Sequence, residues 1–221
     1  MTKGFVLHKR PYRDSSALIE LLTDTDGIVP VVAHGVKRAK SKLASVTQQF
    51  CLLEVSYTPK GELRTLKQAE MERHLFLSGE QLLCGFYMNE LILKLIPRLS
   101  HCEDVFELYE NTLQTLSSCD SIETLLRRFE KQLLELLGYG ISFSHTLSGQ
   151  SIEAKQFYAL SLDQGFEIAT EQDGLPGHTL LKIDQEKLDT PDTLQAAKHI
   201  MRRLIQAHLG HKTIESRSLF R

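Results

Sequence analysis

Residues 17–35 read Ala-Leu-Ile-Glu-Leu-Leu-Thr-Asp-Thr-Asp-Gly-Ile-Val-Pro-Val-Val-Ala-His-Gly. Two apolar runs, Ala17 to Thr23 and Ile28 to Gly35, flank Asp24-Thr25-Asp26-Gly27. Those four residues favour a chain reversal, so the stretch predicts two consecutive strands joined by a turn. Pro30 lacks a backbone N–H and assigns the second strand an edge position or a bulge.

Working outward, Gly4 to Arg10 reads as a strand ahead of this pair, and Leu43 to Gln49 supplies a short helix after it. Leu53, Val55 and Tyr57 alternate with Glu54 and Ser56, the period of a half-buried strand. Pro59-Lys60-Gly61 makes a turn, and Leu63 to Ala69 closes the set. Three strands, a short helix and two more strands is the order of an OB-fold, a small closed barrel; an SH3-like barrel is the alternative, because strand number alone does not fix topology.

From residue 78 the period becomes helical. Ser78 and Gln81 form a capping-box pair, Leu83, Phe86, Tyr87 and Leu91 share a face, and Pro97 ends the segment. A second helix is read from Val105, Tyr109, Thr112, Leu113 and Leu116. The third starts at the cap Ser121, carries Ile122, Leu125, Leu126, Phe129, Leu133, Leu136 and Leu137, and stops at Gly138. Residues 139–188 offer only short β-like pieces, Phe157 to Leu162 and Phe166 to Thr170, with a Gly-Leu-Pro-Gly turn at 174–177. A last helix begins at Thr190-Pro191 and runs through Leu194, Ala197, Met201, Leu204 and Leu209 to Gly210. The expected fold is α+β: an N-terminal five-stranded OB-fold barrel over residues 1–77, then an α-helical domain over 78–221 with a small irregular β insert at 138–188.

Hydrophobic residues at 42% and charged residues at 24% are ordinary for a globular chain of 221 residues. No run approaches the ~18 apolar residues of a membrane span, and the N-terminus lacks a secretory leader pattern, so a cytoplasmic protein is expected. Cys51, Cys84, Cys102 and Cys119 are scattered without CxxC spacing and read as buried or half-buried free thiols. There is no P-loop, no HExxH and no GxGxxG, and Gly149-Gln150-Ser151-Ile152-Glu153 fails the nucleophile elbow at its last position. No catalytic residue and no cofactor are therefore assigned.

Charge is partitioned unevenly. The formal net charge is −2, yet residues 1–70 hold 11 Lys and Arg against 7 Asp and Glu. The surplus gathers in one run, where Lys37, Arg38, Lys40 and Lys42 follow an apolar strand without an intervening acid. A fixed cationic patch at a strand end is suited to a phosphodiester backbone.

Gly35-Val36-Lys37-Arg38, Gly61-Glu62-Leu63 leading to Leu66 and Ala69-Glu70, Tyr87-Met88-Asn89-Glu90-Leu91, Leu126-Arg127-Arg128-Phe129-Glu130 with Leu137-Gly138-Tyr139-Gly140, and Ser216-Arg217-Ser218-Leu219-Phe220 together resemble the bacterial recombination and repair family RecO. The resemblance implies an OB-fold, a helical body, and binding to single- and double-stranded DNA and to single-stranded DNA-binding protein (SSB). It further implies work with RecR in loading RecA, annealing of complementary strands, and a nucleoid-associated place in the cytoplasm. Many relatives hold zinc with four cysteines in the insert, whereas residues 138–188 here contain none, so the chain is similar to a zinc-free branch.

For DNA, the candidates are Lys37, Arg38, Lys40 and Lys42, with Lys9, Arg10, Tyr12 and Arg13 from the first hairpin and Lys60 and Arg64 from the last. Four to six phosphate contacts by these cations predict a log-log salt slope of about −3 to −4 on single strands. For the SSB tail, which the resemblance describes as acidic with an apolar end, the third helix offers Leu125 and Phe129 as floor and Arg127, Arg128 and Lys131 as rim. Lys198, Arg202, Arg203, Lys212, Arg217 and Arg221 form a looser basic stretch near the C-terminus. His199, His208 and His211 lack a companion acid, and no metal site is assigned. Two rivals stand beside this reading: an OB-fold adaptor that binds only proteins, and a DNA-processing enzyme.

Overall fold

A computed structural model describes residues 1–36, 41–161 and 164–220. The chain forms two compact units, one of Met1–Asp120 with Ile214–Arg221 and one of Ser121–Thr213. The passage from strands to helices near residue 78 thus falls inside the first unit.

The first unit is built on a closed five-stranded barrel in the order β1-β2-β3-β5-β4, formed by β1 (Thr2–Tyr12), β2 (Ser16–Thr23), β3 (Gly27–Ala33), β4 (Cys51–Tyr57) and β5 (Arg64–His74). The β1–β2, β2–β3, β1–β4 and β4–β5 ladders are antiparallel, and closure comes from a short parallel contact, Val31↔Arg64 and Val32↔Thr65. This is the OB-fold arrangement, with a short helix α1 (Lys42–Val46) between the third and fourth strands.

Alternation explains the two buried faces of β2 and β3. Ala17, Ile19, Leu21, Val29, Val31 and Ala33 point into the barrel. Leu18, Leu22, Ile28 and Val32, on the opposite face, are also buried. Helices α2 (Gly79–Leu95) and α3 (Glu103–Leu116) cover the outside: the Phe5 ring lies 5.5 Å from Phe106 and 5.2 Å from Tyr109. Two-sided burial is why these strands read as nearly continuous apolar runs. Pro30 pairs with Glu20 in unbroken register. Because β5 meets β3 only from Val31 onward, Pro30 sits where the other side of β3 is outside a ladder, so the expected edge position is what forms.

The β1 ladder slips between Val6 and His8, a bulge that frees the Leu7 carbonyl. Gln49 Nε2 at 2.7 Å and Asn89 Nδ2 at 2.9 Å donate to it, and the Tyr109 hydroxyl donates to Asn89 Oδ1 at 2.5 Å. Two helices and the segment just before β4 are thereby tied to one kink in β1.

The expected capping box at Ser78 does not form. Ser78 occupies the N-cap backbone position, but its side chain makes no capping bond. Gly79 enters the helix at φ +53, a left-handed step foreign to the regular first turn that a capping serine serves. Gln81 instead donates to the Ser117 carbonyl at 3.4 Å. At its other end α2 accepts the chain terminus: Glu90 takes hydrogen bonds from the backbone N–H of Glu215 and Ser216, both at 2.8 Å, and from the Ser216 hydroxyl at 2.5 Å. Residues Glu215–Phe220 form a 3-10 helix held there.

The second unit holds α4 (Ile122–Leu136), β6 (Phe157–Ser161), β7 (Gly165–Ala169), β8 (Leu175–Pro176), α5 (Gly177–Asp184) and α6 (Pro191–Leu209). Ser121 and Thr190 cap as expected, accepting the N–H of Thr124 and Thr193, each at 3.3 Å. The insert is more ordered than its sequence suggested. Leu175–Pro176, read as part of a turn, pairs with Phe157–Tyr158 to complete a three-stranded sheet, and the following residues coil into α5. Phe143 and Phe166, with ring centroids 5.5 Å apart, are buried beneath it without any cysteine.

Candidate nucleic-acid and partner interfaces

The antiparallel run β1-β2-β3 fixes two opposite barrel ends, one at the β1–β2 turn and one at the β2–β3 turn. Arg10, Tyr12 and Arg13 stand at the first. Arg10 and Arg13 are exposed, and the Arg13 guanidinium lies 5.2 Å from the centroid of the Tyr12 ring, a cation–π contact at the hairpin tip. The pairing Ala17↔Ala33 brings the end of β3 to the same rim, and His34 Nδ1 lies 3.2 Å from the Ser16 hydroxyl. The chain therefore leaves β3 at the rim that carries Arg10 and Arg13, shortly before the basic run in sequence. Lys37, Arg38 and Lys40 themselves lie outside the described residues. Lys42, at the start of α1, is exposed.

Lys9 has a different task. Its ammonium donates to the Thr47 carbonyl at 3.0 Å and the Thr47 hydroxyl at 2.9 Å, fastening the end of α1 to the hairpin half of β1. Burial lowers its pKa from the ordinary lysine value, because the charged form loses water. Leu43, Ala44 and Val46 of α1 pack on the barrel core, so this bond fixes where Lys42 emerges.

Lys60 and Arg64 belong to the opposite end. Arg64 bonds Asp26 of the β2–β3 turn, with its guanidinium carbon 5.2 Å from the Tyr57 ring centroid, and the Tyr57 hydroxyl also donates to Asp26, at 3.1 Å. With a side chain only 13% exposed, Arg64 locks two turns together. Lys60 is exposed on that side, apart from the hairpin cations. Sequence reasoning grouped these residues with the hairpin because strand order does not reveal which turns share an end.

In the second unit, the residues expected to form a groove on the third helix divide. Phe129 is buried core, and Leu125 is half-buried. Arg128 pairs with Glu186 at 3.6 Å and donates to its carbonyl at 3.1 Å, while Lys131 pairs with Glu135 at 2.9 Å. Phe129 is therefore core and not groove floor, since helical period alone cannot separate core from exposed apolar residues. Arg127 is the exception. It lines a cleft of about 600 Å³ with Glu123 from α4 and Pro191, Leu194, Lys198 and Arg202 from α6. Arg127 is 7% exposed and stands 3.0 Å from the fully buried Glu130, yet among the described residues its Nε has no hydrogen-bond partner. A buried guanidinium with an unused donor on a cleft wall is suited to a carboxylate. Lys198 reaches Glu123 at 2.9 Å. The α6 contribution was visible in sequence only as part of a loose basic stretch, although Leu194, Lys198 and Arg202 recur every four residues along one face.

His208 stacks on Tyr139 with centroids 3.9 Å apart. Among the described residues no group of three or more His, Cys, Asp or Glu is placed to hold a metal, and no helix is long and apolar enough to cross a membrane. Cys51 and Cys84 are buried and Cys102 and Cys119 half-buried, none of the four in a disulfide. Burial raises the pKa of Cys51 and Cys102, disfavouring the thiolate.

By architecture this is an OB-fold protein with a helical second unit, bearing cations on one barrel rim and a cationic cleft between two helices. Family models described as the N-terminal and C-terminal parts of recombination protein O match residues 1–74 and 77–218. Curated proteins named DNA repair protein RecO are similar along nearly the full length. That of Methylococcus capsulatus is 39% identical over 221 residues, covering 99% of this chain and 91% of that protein. Those of Nitrosococcus oceani and Pseudoalteromonas translucida are 40% and 36% identical, covering 98% and 99% of this chain and 90% and 96% of theirs. The chain belongs to the RecO family of recombination and DNA-repair proteins.

Proposed function

We propose that this protein is a non-enzymatic mediator of DNA repair and homologous recombination that holds single- and double-stranded DNA on its barrel rim. In this reading it binds the tail of SSB, acts with RecR to load RecA, and anneals complementary strands. Support for the DNA site comes from one juxtaposition: the β1–β2 hairpin with Arg10, Tyr12 and Arg13 stands at the rim where β3 ends, just ahead of the basic run in sequence. Arg10, Arg13, Lys37, Arg38, Lys40 and Lys42 are the proposed phosphate contacts, with Lys9 as a positioning residue. Arg64 is occupied by Asp26 and is left out, as is Lys60 at the other end. Annealing then needs no catalytic group: screening two backbones lowers their repulsion, and base pairing supplies the free energy.

For the SSB tail the proposed seat is the α4–α6 cleft. Arg127, Lys198 and Arg202 face acidic groups, and Pro191 and Leu194 face the apolar end. The test is annealing on SSB-coated DNA, with oligonucleotide binding measured against salt. Six contacts predict a single-strand slope of about −4. Reversing Lys37, Arg38, Lys40 and Lys42 to Glu should abolish annealing and flatten the slope by about 3. Unchanged binding in that variant would mean a barrel that serves proteins alone.

A further inference from the structure

We propose that Glu123 is a built-in competitor for the α4–α6 cleft, a carboxylate of the chain itself that occupies Lys198 until an acidic peptide displaces it. The inference rests on the cleft reading given above and concerns how that site is regulated.

The cleft is cationic on both walls, with Arg127 on one and Lys198 and Arg202 on the other; Glu123 is the carboxylate among its lining residues. Its Oε1 sits 2.9 Å from Lys198 Nζ, joining the first turn of α4 to the middle of α6. Both partners remain accessible, at 56% and 41% side-chain exposure, so the pair can open without burying an orphan charge. The inner cation differs. Arg127 is enclosed, keeps Glu130 beside it, and still has Nε unpartnered among the described residues. A peptide carboxylate entering the cleft therefore meets Lys198 already paired with Glu123, while Arg127 contributes its charge from inside the wall. The Lys198 hydrogen bond also holds the Glu123 carboxyl below the usual carboxylate range, so at neutral pH the competitor is fully charged.

Exchange at Lys198 replaces one exposed ion pair by another, which sets the scale of the effect. Exposed pairs contribute little, so removing the competitor should tighten peptide binding by about threefold, not by orders of magnitude. The advantage should shrink as salt rises.

The experiment is fluorescence anisotropy of a labelled acidic peptide that ends in an apolar residue with a free carboxylate, titrated with the full chain. The variants are wild type, Glu123→Gln, Lys198→Ala, the Glu123→Gln/Lys198→Ala double variant, Arg127→Ala, and Asp192→Asn as an equal charge change on the first turn of α6. The expected result is a gain of about threefold for Glu123→Gln that exceeds Asp192→Asn and vanishes when Lys198 is absent. A gain equal to that of Asp192→Asn, or one that survives loss of Lys198, would overturn the competitor. If Arg127→Ala and wild type bind alike, the cleft reading itself fails. If Arg127→Ala weakens binding while Glu123→Gln changes nothing, the cleft stands and only this inference is lost.

Discussion

Asn89 carries a load out of proportion to its size. It satisfies the Leu7 carbonyl exposed by the β1 bulge and accepts from Tyr109, whose burial drives its hydroxyl pKa strongly upward. Asn89→Ala should destabilise the first unit by about 3 kcal/mol, since the Tyr109 hydroxyl is orphaned and the carbonyl keeps only Gln49. Tyr109→Phe should cost about 1 kcal/mol, and denaturant unfolding of the two variants would check the order. Arg64 offers a second contrast. Arg64→Ala should lower the melting temperature by a few degrees, through loss of the Asp26 bond and the packing on Tyr57, while leaving the salt dependence of DNA binding unchanged. Gly27 is the most constrained position in the β2–β3 turn: at φ +67, an added Cβ would fall inside the Ser100 carbonyl. Gly27→Ala should therefore cost more than the ~1 kcal/mol of an ordinary left-handed alanine. None of these roles is legible in sequence, because Asn89 and Leu7 are 82 residues apart and Arg64 and Asp26 are 38 apart.

Elements were more legible than contacts, for physical reasons that differ along the chain. The five barrel strands show themselves through turn chemistry, above all Asp24 to Gly27, and through the alternation of Leu53, Val55 and Tyr57. Helices α4 and α6 declare both ends, with Ser121 and Thr190 as side-chain caps and Gly138 and Gly210 just beyond. Helix α5 does not, since eight residues after a proline carry too little periodicity to outweigh a Gly-Leu-Pro-Gly reading. The C-terminal 3-10 helix was invisible too, because its organiser is a carboxylate on α2. Burial raises the pKa of Glu90, but hydrogen bonds from Lys94, Ser216 and Glu215 outweigh it and leave the value lowered. The sign follows directly. A depressed carboxylate contributes stability that is complete above the unfolded value near 4.5 and is lost as pH falls through the lower folded value. The Ser216 amide should accordingly stay protected from hydrogen exchange at pH 5 and lose protection only well into the acid range. Glu90→Gln should weaken that protection at neutral pH and make little difference once Glu90 is itself protonated.

At the scale of the molecule, the boundary between the family models falls at residues 74–77, whereas the compact units divide after Asp120. Helices α2 and α3 follow the barrel in sequence and pack on its apolar outer face, as the Phe5, Phe106 and Tyr109 rings show. The basic run from Lys37 to Lys42 stands out in sequence because a run without acids needs no tertiary information. Separating the hairpin cations Arg10 and Arg13 from the Asp26–Arg64 lock required strand register. Deleting residues 214–221 should destabilise the barrel unit and leave the melting of residues 121–213 nearly unchanged, which two-probe thermal unfolding would resolve.

The strap on Glu90 has a temporal consequence as well. On the ribosome, Ile214 to Phe220 emerge after all of residues 121–213, so the amino-terminal half waits for the last stretch before its final hydrogen bonds can close. The intervening helical unit is free to settle first, and a nascent chain halted near residue 213 would carry a finished insertion inside an unfinished host.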